Sequence, residues 1–219
     1  AIMAPRIVFD QELEQLKEKV AEMGELVEIG YDKLLLAAKA NDVESLENLL
    51  DSDRQMVDML RSIEARCLAL MIKQQPVARD LRLVTASLKV VTDMERIGDH
   101  VGDMAELFLR RKEPVQQTES DEVILKMMDE ARTMVRESVE AFVEGDAETA
   151  RMVIDNDDVV DGLFNQVKED MMHAIQGHTL DADRVVDNLM IAKYLEKVGD
   201  HAVNIGKWTR FRVTGELEG

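Results

Sequence analysis

Two seven-residue stretches carry the clearest chemistry in this chain. The first reads Met94-Glu95-Arg96-Ile97-Gly98-Asp99-His100, and the second reads Leu195-Glu196-Lys197-Val198-Gly199-Asp200-His201. Glu, Gly, Asp and His coincide, the other positions are conservative exchanges, and two of the chain's four histidines fall here. A separation of four residues puts Glu95 and Asp99, and likewise Glu196 and Asp200, about one turn apart on one helix face. Asp103 extends the first acidic stripe, and Asn204 takes the corresponding place in the second. Like charges so placed repel and cost an isolated helix ~0.2–0.5 kcal/mol per pair. A hard cation reverses that penalty, because carboxylate oxygens suit Mg, Ca, Mn and oxidised iron.

The spacing alone is not specific in so acidic a chain. Glu28/Asp32 and Glu47/Asp51 show it too, and for these we expect solvated faces. Repetition together with Gly and His is what sets the two later stretches apart. His100 and His201 stand ~100° round the helix from the neighbouring Asp. Three roles are open to them: metal ligand, partner that orients a carboxylate, or plain hydrogen-bonding group. Asp58 and Asp161 each follow a valine one helix earlier and can face the acidic stretch of their own unit; capping or exposure is the competing reading. His173 and His178 lack a repeated context, and we assign them no site. Cys67 sits among Ala65, Leu68, Ala69 and Leu70, so we expect a buried inert thiol.

The elements that must hold these residues read as helices. Phe9, Leu13, Leu16, Val20, Met23, Val27, Gly30, Leu34 and Ala37 follow a 4-3 alternation, the apolar stripe of one helix face. Asp10 is placed to cap that helix, and Asn41–Asp42 to end it. A second helix carries Leu46, Leu50, Val57, Leu60, Ile63, Cys67 and Leu70, and stops before Pro76. A third runs from about Ala78 to Lys112, ending before Pro114. The pattern then restarts. Ile124, Met128, Ala131, Val135, Ser138 and Phe142 repeat the first stripe 104 residues on, and the sixth helix, from about Asp181 to Arg212, resembles the third 101 residues on. We therefore predict an all-α protein of two tandem antiparallel three-helix bundles, residues 1–114 and 115–219, related by internal duplication.

In the third helix of each unit an apolar seam changes character at the same point. Leu81, Val84, Leu88 and Val91 give way to Glu95, Gly98, Gly102 and Ala105; Ala182, Val185, Leu189 and Ala192 give way to Glu196, Gly199, Val203 and Gly206. Glycine inside a helix costs about 1 kcal/mol relative to alanine, so each asks for a reason: room for a ligand, or a closely approaching helix. A second seam, Leu83, Val90, Met94, Ile97, Val101, Met104 and Phe108, stays mainly apolar and faces the core.

Bulk properties narrow the function. A formal charge of −18 argues against a nucleic-acid partner, which needs clustered Lys and Arg. The opening AIMAPRIVFDQ has no apolar core of signal-peptide length, no apolar run approaches the ~20 residues of a membrane span, and the lone cysteine fits a reducing compartment. These point to a cytoplasmic protein with no membrane insertion. No Gly-rich phosphate loop, nucleophile elbow or zinc-type Cys/His spacing is present, so we expect no enzymatic activity. A ferritin-like di-metal carboxylate oxidase would need Glu-x-x-His, whereas His100 follows Glu95 by five residues. That oxidase and a plain helical interaction module are the competing functions.

At these residues the sequence resembles the PhoU family, whose members have two tandem three-helix bundles with an E(D)-x-x-x-D motif in each third helix. Glu95–Asp99 and Glu196–Asp200 match that motif, and Gln75-Pro76-Val77-Ala78-Arg79-Asp80-Leu81-Arg82 resembles the family's Q-P-x-A-x-D-L-R stretch. The resemblance implies a negative regulator of phosphate uptake and of the phosphate-starvation response. Such a protein acts as an adaptor between a phosphate ABC transporter ATPase and a sensor histidine kinase, forms a homodimer and can be recruited to membrane complexes. It also implies metal ions, iron or zinc in multinuclear clusters, on Glu95, Asp99, Glu196 and Asp200, with Asp103 and Asn204 as further ligands; Asp58 and Asp161 join the candidate metal ligands on their matching positions alone. Asn204 departs from the acidic pattern, which predicts that the two sites differ.

Overall fold

The computed structural model describes residues 5–74, 76–115 and 118–217, with the side chains of Asp53 and Gln74 outside the description. Helix α1 spans Pro5–Ala40, α2 Val43–Leu50, α3 Asp53–Gln74 and α4 Ala78–Arg111. The second half repeats them as α5 Glu119–Glu144, α6 Ala147–Asp155, α7 Asp157–Gly177 and α8 Ala182–Thr214. All eight elements among the described residues are helices, and the all-α duplicated architecture read from the sequence is the one found.

The predicted stripe of α1 is buried at Phe9, Leu13, Leu16, Val20, Met23, Val27, Leu34 and Ala37. At Gly30 it fails: Tyr31 takes the inward place, because a straight helix drifts ~20° per heptad from a 3.5-residue repeat. The Tyr31 hydroxyl donates to the Met128 carbonyl at 2.7 Å and so ties α1 to α5. Asp10 does not cap α1. The helix already begins at Pro5, and Asp10 pairs with Arg6 one turn back at 3.2 Å.

Each predicted second helix is broken in two. Asp42 caps α2 through the Ser45 N–H at 3.2 Å, and Asp146 caps α6 through the Thr149 N–H at 3.0 Å. One helix then ends at Asp51 and the other at Asn156, after nine residues or fewer. The cause is local. Asp51-Ser52-Asp53 and Asp155-Asn156-Asp157 are short polar side chains that compete for backbone groups, as the Ser52 hydroxyl does in donating to the Leu49 carbonyl at 2.9 Å.

Helices α4 and α8 lie at the centre and pack against each other. Helices α2 and α3 flank α4, α6 and α7 flank α8, and α1 packs on α5 across the join. The mainly apolar seam of α4, from Leu83 to Phe108, is buried throughout, and buried residues of both halves form one continuous core. The glycine-bearing seam faces the flanking helices instead. A Cβ on Gly98 would lie 3.6 Å from Met56 of α3, and one on Gly206 would lie 3.0 Å from the Ala150 carbonyl oxygen of α6. Close helix approach is thus what these glycines permit. Among the described residues no helix is long and apolar enough to cross a membrane.

Candidate metal centre

In the second half, α7 and α8 bring three carboxylates together. Asp157 and Asp161 stand one turn apart at the start of α7, and Asp200 meets them from α8, all three offering oxygens within 4.8 Å of one another. Gly199 lets the helices close here: a Cβ on it would already touch Val160 at 3.6 Å and Asp157 at 3.7 Å.

The electrostatics are those of crowded, partly dehydrated acids. Burial, then Asp161 and Asp200, pushes the Asp157 carboxyl up to about 6. Burial and Glu196 raise Asp161. Partial burial, then Glu196 and Asp161, raises Asp200. One Asp157 oxygen is buried with no hydrogen-bond partner among the described residues. Glu196 is drawn partly aside by Lys193, whose ammonium donates to it at 2.6 Å while lying over the Phe164 ring. An all-oxygen set with an unpartnered buried carboxylate oxygen fits a hard cation, Mg, Ca, Mn or iron, better than zinc, which favours nitrogen and sulfur.

The residues singled out from the sequence do not all gather. Asp161, Asp200 and Glu196 lie together, but Asp58 is exposed on α3 and is not the counterpart of Asp161. Buried Met56, Ile63, Cys67 and Leu70 match buried Val160, Val167, Met171 and Ala174 at an offset of 104, which puts Val57 opposite Asp161 and Asp53 opposite Asp157. Matching the two valines instead had slipped the register by one residue. In the first half Glu95 and Asp99 are partly buried one turn apart on α4, and Arg96 approaches Asp99 at 3.9 Å. Asp157 was missed because helical spacing runs on through Asp155-Asn156-Asp157 and hides that a new helix starts there; the matching Asp51-Ser52-Asp53 break 104 residues earlier is the signal that identifies it.

Asp103 and Asn204 belong to a different cluster. His100 and His201 stack across the α4–α8 contact with ring centres 5.6 Å apart, and Tyr194 packs on His100 at 5.4 Å. Nδ1 of His100 lies 3.4 Å from Asp103, and Nδ1 of His201 lies 2.9 Å from Asp93 on the other helix. The Asn204 amide donates to the same Asp93 at 3.4 Å. Burial holds His100 below the usual histidine range, and the Asp103 contact partly offsets it. Of the three roles open to the histidines, hydrogen bonding at the join is the one observed. Glu28 also departs from expectation: it is half-buried between α1 and α5 rather than solvated.

The duplicated helices agree with the comparisons to known proteins. A model of the PhoU domain matches residues 20–108 and again 124–209. The chain belongs to the PhoU family. Similar PhoU proteins include the "phosphate-specific transport system accessory protein PhoU homolog 1" of Methanothermobacter thermautotrophicus, 30% identical over 97% of both chains. The crystal structure of PhoU from Pseudomonas aeruginosa superposes with a TM-score of 0.89 at 28% identity, covering 95% of this chain and 100% of that one. The phosphate transport system regulatory protein PhoU from Streptococcus pneumoniae gives 0.87 at 26% identity, over 96% and 99%. The first match takes in α4 as far as residue 108, and the second takes in α7 and α8 as far as residue 209, so that together they include the helices that carry the carboxylates.

Proposed function

We propose that this chain is a non-enzymatic regulator attached to a phosphate-specific transport system, in which a metal-loaded carboxylate site tunes the helical surface offered to partners. Its PhoU relatives, a phosphate-specific transport system accessory protein and a phosphate transport system regulatory protein, support the transport association. The observation that carries the metal reading is the trio Asp157, Asp161 and Asp200, whose carboxyls are raised and mutually repelling until a cation neutralises them. Glu196 is the neighbouring fourth ligand once Lys193 is displaced. Glu95 and Asp99 form the corresponding but chemically different patch on α4. Asp103, Asn204 and Asp58 are left out of the ligand set.

Iron is the metal this oxygen set favours over zinc. The partners we assign are the transporter's ATPase and a sensor histidine kinase, with a second copy of the chain completing a homodimer in the cytoplasm. Metal analysis of protein purified without chelator, beside Asp161→Asn/Asp200→Asn, tests the site. Wild type is expected to retain bound metal and to lose several degrees of Tm on chelation, since a ligand at 100 times its Kd contributes about 2.7 kcal/mol. Equal metal content in both proteins overturns the assignment. Partner capture from cells grown in abundant phosphate tests the adaptor role, and recovery of neither ATPase nor kinase overturns that.

A further inference from the structure

A cavity of about 640 Å³ lies far along α4 and α8 from the carboxylate trio, where the first turns of α4 meet the ends of α5 and α8. Its cations are unusual for so acidic a protein. Arg79 and Arg82 enter from α4 and Arg212 from α8, and among the described residues no carboxylate lies within ion-pair distance of any of the three. The acids around them are already engaged. Arg6 holds Asp80 at 2.9 Å and Asp10 at 3.2 Å, and Lys17 holds Glu14 at 2.9 Å. With Arg6 counted beside the charged lining residues, five cations face four carboxylates, so the local charge is 5 − 4, or +1, in a chain of net charge −18.

Two of the three cations are also held in place. One Arg212 nitrogen donates to the Phe142 carbonyl, and its guanidinium lies over the Phe142 ring at 5.3 Å; among the described residues its other donors make no further hydrogen bond. Burial and then the neighbouring Arg79 hold Arg212 below the usual arginine range, and Glu14 only partly offsets them. The Arg82 Nε is buried with no partner among the described residues, and its guanidinium packs against the α8 end at Gly215. Val77 at the start of α4 provides no side-chain cap, so the first-turn N–H groups add positive potential on the same side.

We propose that this cavity is a binding site for a phosphoryl dianion, gripped by Arg79, Arg82 and Arg212. Guanidinium forks match tetrahedral oxyanions in geometry and charge. A volume of about 640 Å³ exceeds a single phosphate, so the dianion is either free orthophosphate or the terminal phosphoryl group of a nucleotide. The competing role, arginines that merely cap the carbonyl ends of α5 and α8, requires no ligand. The site is separate from the metal reading and stands or falls without it.

Calorimetric titration of the full chain at low ionic strength, with orthophosphate and with ATP in separate runs, tests the proposal. Binding is expected to weaken about tenfold or more in Arg79→Ala, whose side chain is exposed and whose loss leaves the thermal midpoint unchanged. It is expected to tighten in Glu144→Gln and to persist in Asp161→Asn/Asp200→Asn. Tighter binding of ATP than of orthophosphate identifies a nucleotide as the source; equal or weaker binding identifies the free ion. No heat with either probe at millimolar concentration overturns the proposal. So does affinity that both Arg79→Ala and Glu144→Gln leave unchanged, or affinity lost in the double aspartate variant, which would place the anion on a metal.

Discussion

Glu28 shows how a single residue escapes its sequence context. It lies between α1 and α5 beside a cavity of about 230 Å³ shared with Glu25, Asp32, Glu140, Arg132 and Arg136. Arg132 pairs with Asp32, and one Glu28 oxygen is buried without a partner among the described residues. Burial, then Glu140 and Asp32, pushes the Glu28 carboxyl up to about 7. A raised folded-state value means that the folded chain holds the proton more tightly than the unfolded one. Stability therefore falls as pH rises from about 4.5 towards 7, and the loss is complete above that. Glu28→Gln is expected to leave stability nearly unchanged at pH 4 and to raise it by on the order of 1 kcal/mol at pH 8, a figure reduced for the solvent the side chain keeps. Urea unfolding at the two pH values measures this, and a variant less stable than wild type at pH 8 sinks the account. The sequence shows the Glu28/Asp32 spacing but not the packing of α5 on α1, so it cannot show the burial that sets the proton affinity. Asp103 was misplaced for a related reason: eight residues turn ~800°, which carries it ~80° off the line through Glu95 and towards α8.

At the scale of the helix, the glycines separate two kinds of close contact. A Cβ on Gly206 would meet the Ala150 carbonyl oxygen at 3.0 Å and Ile154 at 3.3 Å, and the backbone atom cannot turn away. Gly206→Ala is expected to destabilise by about 1–3 kcal/mol through overpacking. A Cβ on Gly102 would meet only the Leu49 carbonyl oxygen at 3.8 Å, an ordinary contact. Gly102→Ala is expected to stabilise by up to about 1 kcal/mol, the helix-propensity gain. Denaturant midpoints for the pair check both signs together. Helix positions and most core residues were legible because apolar periodicity is strong in α1, α4 and α5 and proline closes α3. The breaks after Leu50 and Asp155 were not, since helical spacing runs on across them and only the short polar side chains betray them. That omission hid Asp157, which owes its place to beginning a new helix.

For the whole molecule the continuity of the core is decisive. Met94, Ile97, Val101 and Met104 of α4 are fully or almost fully buried in a cluster that includes α8 residues Leu195, Val198 and Ala202. Residues 1–114 alone would expose that face, so the isolated half is expected to self-associate or precipitate rather than remain a folded monomer. Sedimentation of the fragment checks this, and a monomeric half with native helicity counts against it. The stacked His100 and His201 bear on the same join. Their surroundings are no longer equivalent: Tyr194 stands where the first half has Asp93, and Asn204 where it has Asp103. Both acids that serve the two rings come from α4. A chain made by doubling the first half would crowd four carboxylates around one imidazole pair, and one made by doubling the second would provide none. The halves have thus become complementary parts, and neither can stand in for the other.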